Sequence, residues 1–189
     1  MSFEEFRVSV VPEPNSPFAK GCDTVMFQQV IAEIRSTWQE IRPDIAETER
    51  LFSPKEEREE LLVYHSAAGL FQLTVLLGNV QPDTISVHLR VAYCNPRTVH
   101  APFCDVIAGL MDRYTLCAYC SEPAPPGGDM RETIPDLRDV RTVLIPRLDY
   151  NRGFWQQDAQ TTEEAILRPG DAVARFIMPL TVPLHPVKA

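Results

Sequence analysis

The chain has 189 residues, a length that suits a single domain able to bury roughly 70% of the surface its unfolded form exposes. Hydrophobic residues make up 44% and charged residues 23%, which excludes the low-hydrophobicity, high-charge compositions of disordered chains. A net charge of -8 argues against nucleic acid or an anionic membrane as partner, since both are bound through clustered Lys and Arg, and it favours a protein partner with a basic surface.

Residues 1–7 lack the basic start and apolar run of a signal peptide, and nowhere do about 18 apolar residues follow one another, so a cytoplasmic protein is expected. Five cysteines, an odd number in a chain too long to need disulfide staples, agree with a reducing compartment. Seventeen prolines are the one excess, and they mark long ordered loops.

In residues 3–11, Phe6, Val8 and Val10 alternate with Arg7 and Ser9, a first strand that stops at the Pro12-Glu13-Pro14 punctuation. Asp23 is placed to cap a helix in which Phe27, Val30, Ile31, Ile34, Trp38 and Ile41 recur at three- and four-residue steps until Pro43 closes it. Residues 44–60 are charged, and Ser53, Pro54 and Glu56 are spaced as the start of a short helical turn.

Three strands follow, at 61–66, 70–77 and 84–94, with connections short enough for an antiparallel meander. The third has the strictest pattern of all: Ile85, Val87, Leu89, Val91 and Tyr93 alternate with Ser86, His88, Arg90, Ala92 and Cys94, as a central strand with one apolar face requires. Pro102 then opens a second amphipathic helix carrying Phe103, Val106, Ile107, Leu110, Met111 and Tyr114. Residues 116–120 read as a short strand and 123–128 as a proline-glycine loop. Residues 134–145 fit a helical face through Leu137, Val140 and Leu144 or, less well, a strand of Val143, Leu144 and Ile145 that ends at Pro146; a turn-bearing helix or strand at 161–171, a last strand at 172–178 and an extended terminus complete the chain. The fold class expected is α+β: an antiparallel sheet of five or more strands with helices mainly on one face, in one domain whose core is 1–120 and whose extension, 121–189, packs on it.

Three groups of residues are candidates for chemistry. Cys94, His100, Cys104, Cys117 and Cys120 lie close in sequence, and the last two have the spacing of zinc ligands or a redox pair. A structural zinc site usually has two such pairs, and Cys104 falls on an apolar helix stripe, so no metal or other cofactor is expected. His65, His88 and Arg90 lie on neighbouring strands and would suit acid-base chemistry if a cleft joined them. The sequence has no nucleophile elbow, P-loop, dinucleotide fingerprint or His-Glu-x-x-His motif. The third group, Tyr150, Asn151, Arg152, Phe154 and Trp155, concentrates the residue types that anchor protein interfaces, and Pro146 and Gly153 suggest that it is irregular.

The leading functional expectation is therefore a non-catalytic protein-binding module with Tyr150, Arg152 and Trp155 as anchors. In general character, acidic and single-domain without catalytic motifs, the chain resembles bacterial immunity proteins that neutralise a toxin. A small-molecule enzyme using His65, His88 and Arg90 is the alternative from a different class, and a secretion-type chaperone or assembly protein is a third.

Overall fold

The computed structural model describes residues 5–19, 21–43, 58–78, 83–93 and 95–158. Its frame is a seven-stranded antiparallel sheet of β1 (Glu5–Pro12), β2 (Ile41–Pro43), β3 (Glu59–Ser66), β4 (Gly69–Leu77), β5 (Ile85–Ala92), β6 (Leu116–Tyr119) and β7 (Thr133–Ile134), ordered β2-β3-β4-β5-β1-β6-β7. Three helices, α1 (Thr24–Thr37), α2 (His100–Tyr114) and α3 (Val140–Asp158), pack with it, an α+β architecture. The strand with the strictest alternation, β5, stands fourth of the seven and is the central one.

Register explains the core. Val8 and Leu73 flank Leu89 from either side, and Val10 and Val75 flank Val87 in the same way. Each pairing puts apolar side chains on the same face, where Phe6, Leu62, Phe71 and Ala118 are also buried, together with Phe27, Ile31 and Ile34 of α1 and Phe103, Ile107 and Leu110 of α2. The Phe71 ring stacks on Tyr64 at 4.4 Å and meets Phe103 edge-on at 5.3 Å, geometries that favour aromatic pairs.

The two amphipathic helices follow their periodicity. Asp23 caps α1 as expected, its carboxylate accepting from the Met26 amide at 2.8 Å. The helix stops at Thr37, four residues before Ile41, because Trp38 turns extended and Ile41 pairs with Tyr64 as the start of β2. A helical step and a strand side chain both satisfy an apolar position there, and cross-strand pairing decides it.

The larger correction is at the C-terminal helix. Residues 140–158 form one helix that runs through Pro146, where an irregular segment around 150–155 is expected from sequence. Pro146 removes the amide that would bond the Thr142 carbonyl, but both residues face solvent, where water can satisfy that carbonyl. The packed stripe of α3 is Val140, Val143, Leu144, Arg147, Leu148, Arg152 and Trp155, and two arginines within it hide its helical period.

Arg147 is 2% exposed and donates to the carbonyls of Cys120 (2.7 Å), Glu122 (3.1 Å), Asp129 (2.8 Å) and Arg131 (2.7 Å). It thereby ties both ends of the 120–131 proline-glycine loop to α3. Asn151 adds a further bond to the loop at the Pro123 carbonyl, 2.8 Å away. The expectations for 44–57, for Cys94 and for 161–178 lie outside the described residues.

Candidate functional site: a groove on the second sheet face

The residues that alternate with the core positions face away from the helices, and register arranges them in rows across the strands. One row runs Leu61, Thr74, His88, Ser9, Tyr119, from β3 through β4, β5 and β1 to β6. A second places Gln72, Arg90 and Arg7 beside it, and a third brings Glu59, Leu76 and Ser86 to its other side. These rows floor a groove of about 570 Å³ lined by Arg7, Ser9, Leu61, Thr74, His88 and Tyr119 among others, within the size range of small-ligand pockets. Its flanks are not open sheet: Gln72 and Ser86 are fully buried.

His88 occupies the middle of the floor. Its Nδ1 lies 2.9 Å from the Ser9 hydroxyl directly across the ladder, and its Nε2 lies 3.4 Å from the Ser86 hydroxyl two residues back on the same strand. Hydroxyls on both sides fix the ring plane. Burial pushes the imidazole pKa below its ordinary value, so the ring is neutral at pH 7 and offers one donor and one acceptor.

Beside it the Arg90 guanidinium donates through Nε to Gln72 Oε1, and its Nη1 is 3.7 Å from Glu5 Oε2. Arg7 donates through Nε to Glu5 Oε1 at 2.6 Å. Glu5, with only 13% of its side chain exposed, therefore orients both guanidinium groups, while Arg7 keeps 64% of its side chain exposed. Burial raises the pKa of Glu122, half-buried nearby, against the opposing pull of the Arg7 amide and charge.

Of the expected constellation His65, His88 and Arg90, the last two share the groove and His65 does not. His65 pairs with Leu70, four residues along β4 from Thr74, which puts it roughly 16 Å from His88 at ordinary strand spacings. Its side chain is exposed, so the histidine pair is not a site. Arg7, Ser9, Thr74, Leu61, Leu76 and Tyr119 escaped the sequence reading. The alternation in β1 did put Arg7 and Ser9 on the polar face, but only register shows them opposite Arg90 and His88.

The cysteine group does not converge either. Cys117 and Cys120 stand on extended chain three residues apart with side chains on opposite faces, about 10 Å from each other, beyond the reach of a disulfide. Cys104 is buried on α2, where burial pushes its thiol up to about 12. Among the described residues no group of three or more His, Cys, Asp or Glu side chains is arranged to hold a metal ion.

The aromatic cluster on α3 divides between two sides of the helix. Trp155 and Arg152 turn inward and are buried, whereas Phe154 is 51% exposed and meets the half-buried Tyr150 edge-on at 4.8 Å. Beside the buried His100, Asp149 stands 3.5 Å from its Nδ1 and 3.6 Å from Arg97. Burial drives the His100 pKa down to about 4, with Arg152 and Arg97 adding to the shift and Asp149 opposing it.

The chain matches no protein-family model, no curated protein and no solved structure. The described helices include none long and apolar enough to cross a membrane.

Proposed function

We propose that this protein is a ligand-binding protein whose working surface is the groove centred on His88. The observation that carries the reading is the row Leu61, Thr74, His88, Ser9, Tyr119, which lays an apolar end, three neutral hydrogen-bonding groups and an aromatic ring in one line along a groove of ligand size. The side chains stand on paired strands rather than loops, so their geometry is fixed before a ligand arrives and little ordering entropy is lost on binding.

The chemistry favours recognition over turnover. The Ser9 hydroxyl and the His88 imidazole resemble a nucleophile and its base, but both sit in the β1–β5 ladder, which engages its backbone amides in strand pairing rather than presenting them to a developing oxyanion. A library of small polar fragments screened by NMR against the isotopically labelled protein tests the reading. Shifts clustered at Leu61, Thr74, His88 and Ser9, and lost in a groove-filling Thr74→Phe variant that melts like the parent, are expected. If no fragment perturbs these residues, the groove is not a binding site.

A second reading rests on the outward pair Tyr150 and Phe154. An exposed phenylalanine held by a neighbouring ring suits a protein interface, and the charge of -8 would attract a basic partner of the kind an immunity-type protein neutralises. Affinity capture from the native host, repeated with Phe154→Ala, tests it: a partner held equally well by both proteins would rule this surface out.

A further inference from the structure

We infer that the ligand of the groove is a small amphipathic carboxylate, its anionic head at Arg7 and its apolar tail over Leu61 and Leu76. The inference rests on the groove being a binding site and adds polarity and length to it. Among the described residues, three charged side chains line the groove, and they are not evenly spread. Arg7 and Arg90 lie side by side in one row, whereas Glu59 stands opposite Leu76 at the far corner. In a protein carrying a charge of -8, this places the exposed positive charge at one end and a carboxylate at the other, which repels an anion bound in the reverse sense.

The acidic groups at the arginine end do not cancel that polarity. Glu5 keeps 13% of its side chain exposed against 64% for Arg7, so what a solute meets there is guanidinium, with Glu5 holding it in place from the sheet side. Glu122 is half-buried beside Arg7 and does not line the groove. Arg7 directs its Nε and Nη2 donors at Glu5, and the guanidinium has five N–H donors, so a ligand carboxylate would meet its Nη1 side. Ser121, on the same side of the groove, supplies a neighbouring hydroxyl.

The apolar end is built from Leu61 and Leu76, both half-buried; Val63, Leu70, Val11 and Ala92 share this sheet face by register but do not line the groove. Leu61 lies three strands from Arg7 and one row over, and Leu76 two strands and two rows over. At ordinary sheet spacings each is roughly 16 Å from Arg7 between backbones, or about 10 Å once side chains reach inward, the span of an eight- to ten-atom chain. Between the ends, the Ser9 and Thr74 hydroxyls flank the His88 ring and offer uncharged hydrogen bonds, which suit a hydroxyl or amide in mid-chain.

Calorimetric titration of the full chain with octanoate, octylammonium and 1-octanol separates the possibilities, with NMR shifts locating each probe. Octanoate should bind in the low-millimolar range or tighter, as its size permits, and shift Leu61 and Leu76. Arg7→Gln should weaken it roughly fivefold, the scale of one half-exposed ion pair, without lowering the melting temperature. Glu59→Gln should leave octanoate binding intact or improve it. Equal binding of octanol and octanoate, tighter binding of octylammonium, or indifference to Arg7→Gln would overturn the ligand class. Fragment shifts in the groove would then still support a binding site of different chemistry, whereas their absence would remove the site itself.

Discussion

Replacing Arg147 with methionine removes the guanidinium while keeping an unbranched apolar stem within α3, so the change reads out the four carbonyl bonds rather than a cavity. A hydrogen bond to a charged donor contributes about 1.5 to 3 kcal/mol, and four of them would sum to roughly 6 to 12 kcal/mol. Against that stands the loss of hydration by the guanidinium itself, 2% exposed, which costs several kcal/mol. Water also recovers some of the freed carbonyls, because three of the four bonds lie at the edge of the buried region. The net expectation is a loss of about 3 to 5 kcal/mol, a large share of the 5 to 15 kcal/mol typical of a whole domain.

Urea unfolding of Arg147→Met and Arg147→Lys measures the effect, and hydrogen exchange of the amides in 120–131 shows where it falls. The lysine variant keeps a charge and three donors and should recover part of the loss, though not the fan of four bonds that a planar guanidinium spans. A methionine variant within about 1 kcal/mol of the parent, with the loop amides equally protected, would mean that the carbonyls are as well served by water as by Arg147.

Gly109→Ala should destabilise, contrary to the usual gain of up to about 1 kcal/mol for this change in a helix interior, because the new methyl would stand 2.6 Å from the Trp38 ring; thermal unfolding gives the sign. Leu89→Asp should abolish cooperative unfolding, since Leu89 is 1% exposed between Val8 and Leu73 and a carboxylate there has no water; a folded, cooperatively melting variant would displace β5 from the centre of the core. His100 has a folded-state pKa of about 4 against 6.5 in the unfolded chain, so between these values the unfolded state binds the extra proton. Stability should therefore be full above pH 6.5 and fall by about 3 kcal/mol as pH drops towards 4, and His100→Gln should flatten that part of the pH profile in denaturant titrations.

The parts of this fold that could be read from sequence are those where one periodicity fits and no other does. Ile85, Val87, Leu89 and Val91 admit only a strand, and Phe27, Val30, Ile31 and Ile34 only a helix. The C-terminal helix was legible only as far as Ile145, because Arg147 and Arg152 occupy inward positions beyond it: a residue normally counted as solvent-facing is buried when backbone carbonyls take up its donors. Prolines and glycines reinforced the misreading, although Pro146 stands where a missing amide is tolerated. The groove was out of reach for a different reason. Each of its side chains is an ordinary polar or apolar residue at a strand position, and only strand order and register, fixed by long-range pairing of β1 with β5 and β6, bring Ser9 to His88 and Arg7 to Arg90. His65 shows the converse: it is close to His88 in strand count yet two rows out of register.

Among the described residues, the sheet's two outermost strands are short and meet proline. β2 is three residues long and ends in Pro43, and β7 is two residues long and runs directly into Pro135. A proline has no amide hydrogen to offer an incoming strand, and a two- or three-residue edge offers too few partners to hold a register. Growth of the sheet is discouraged at both margins.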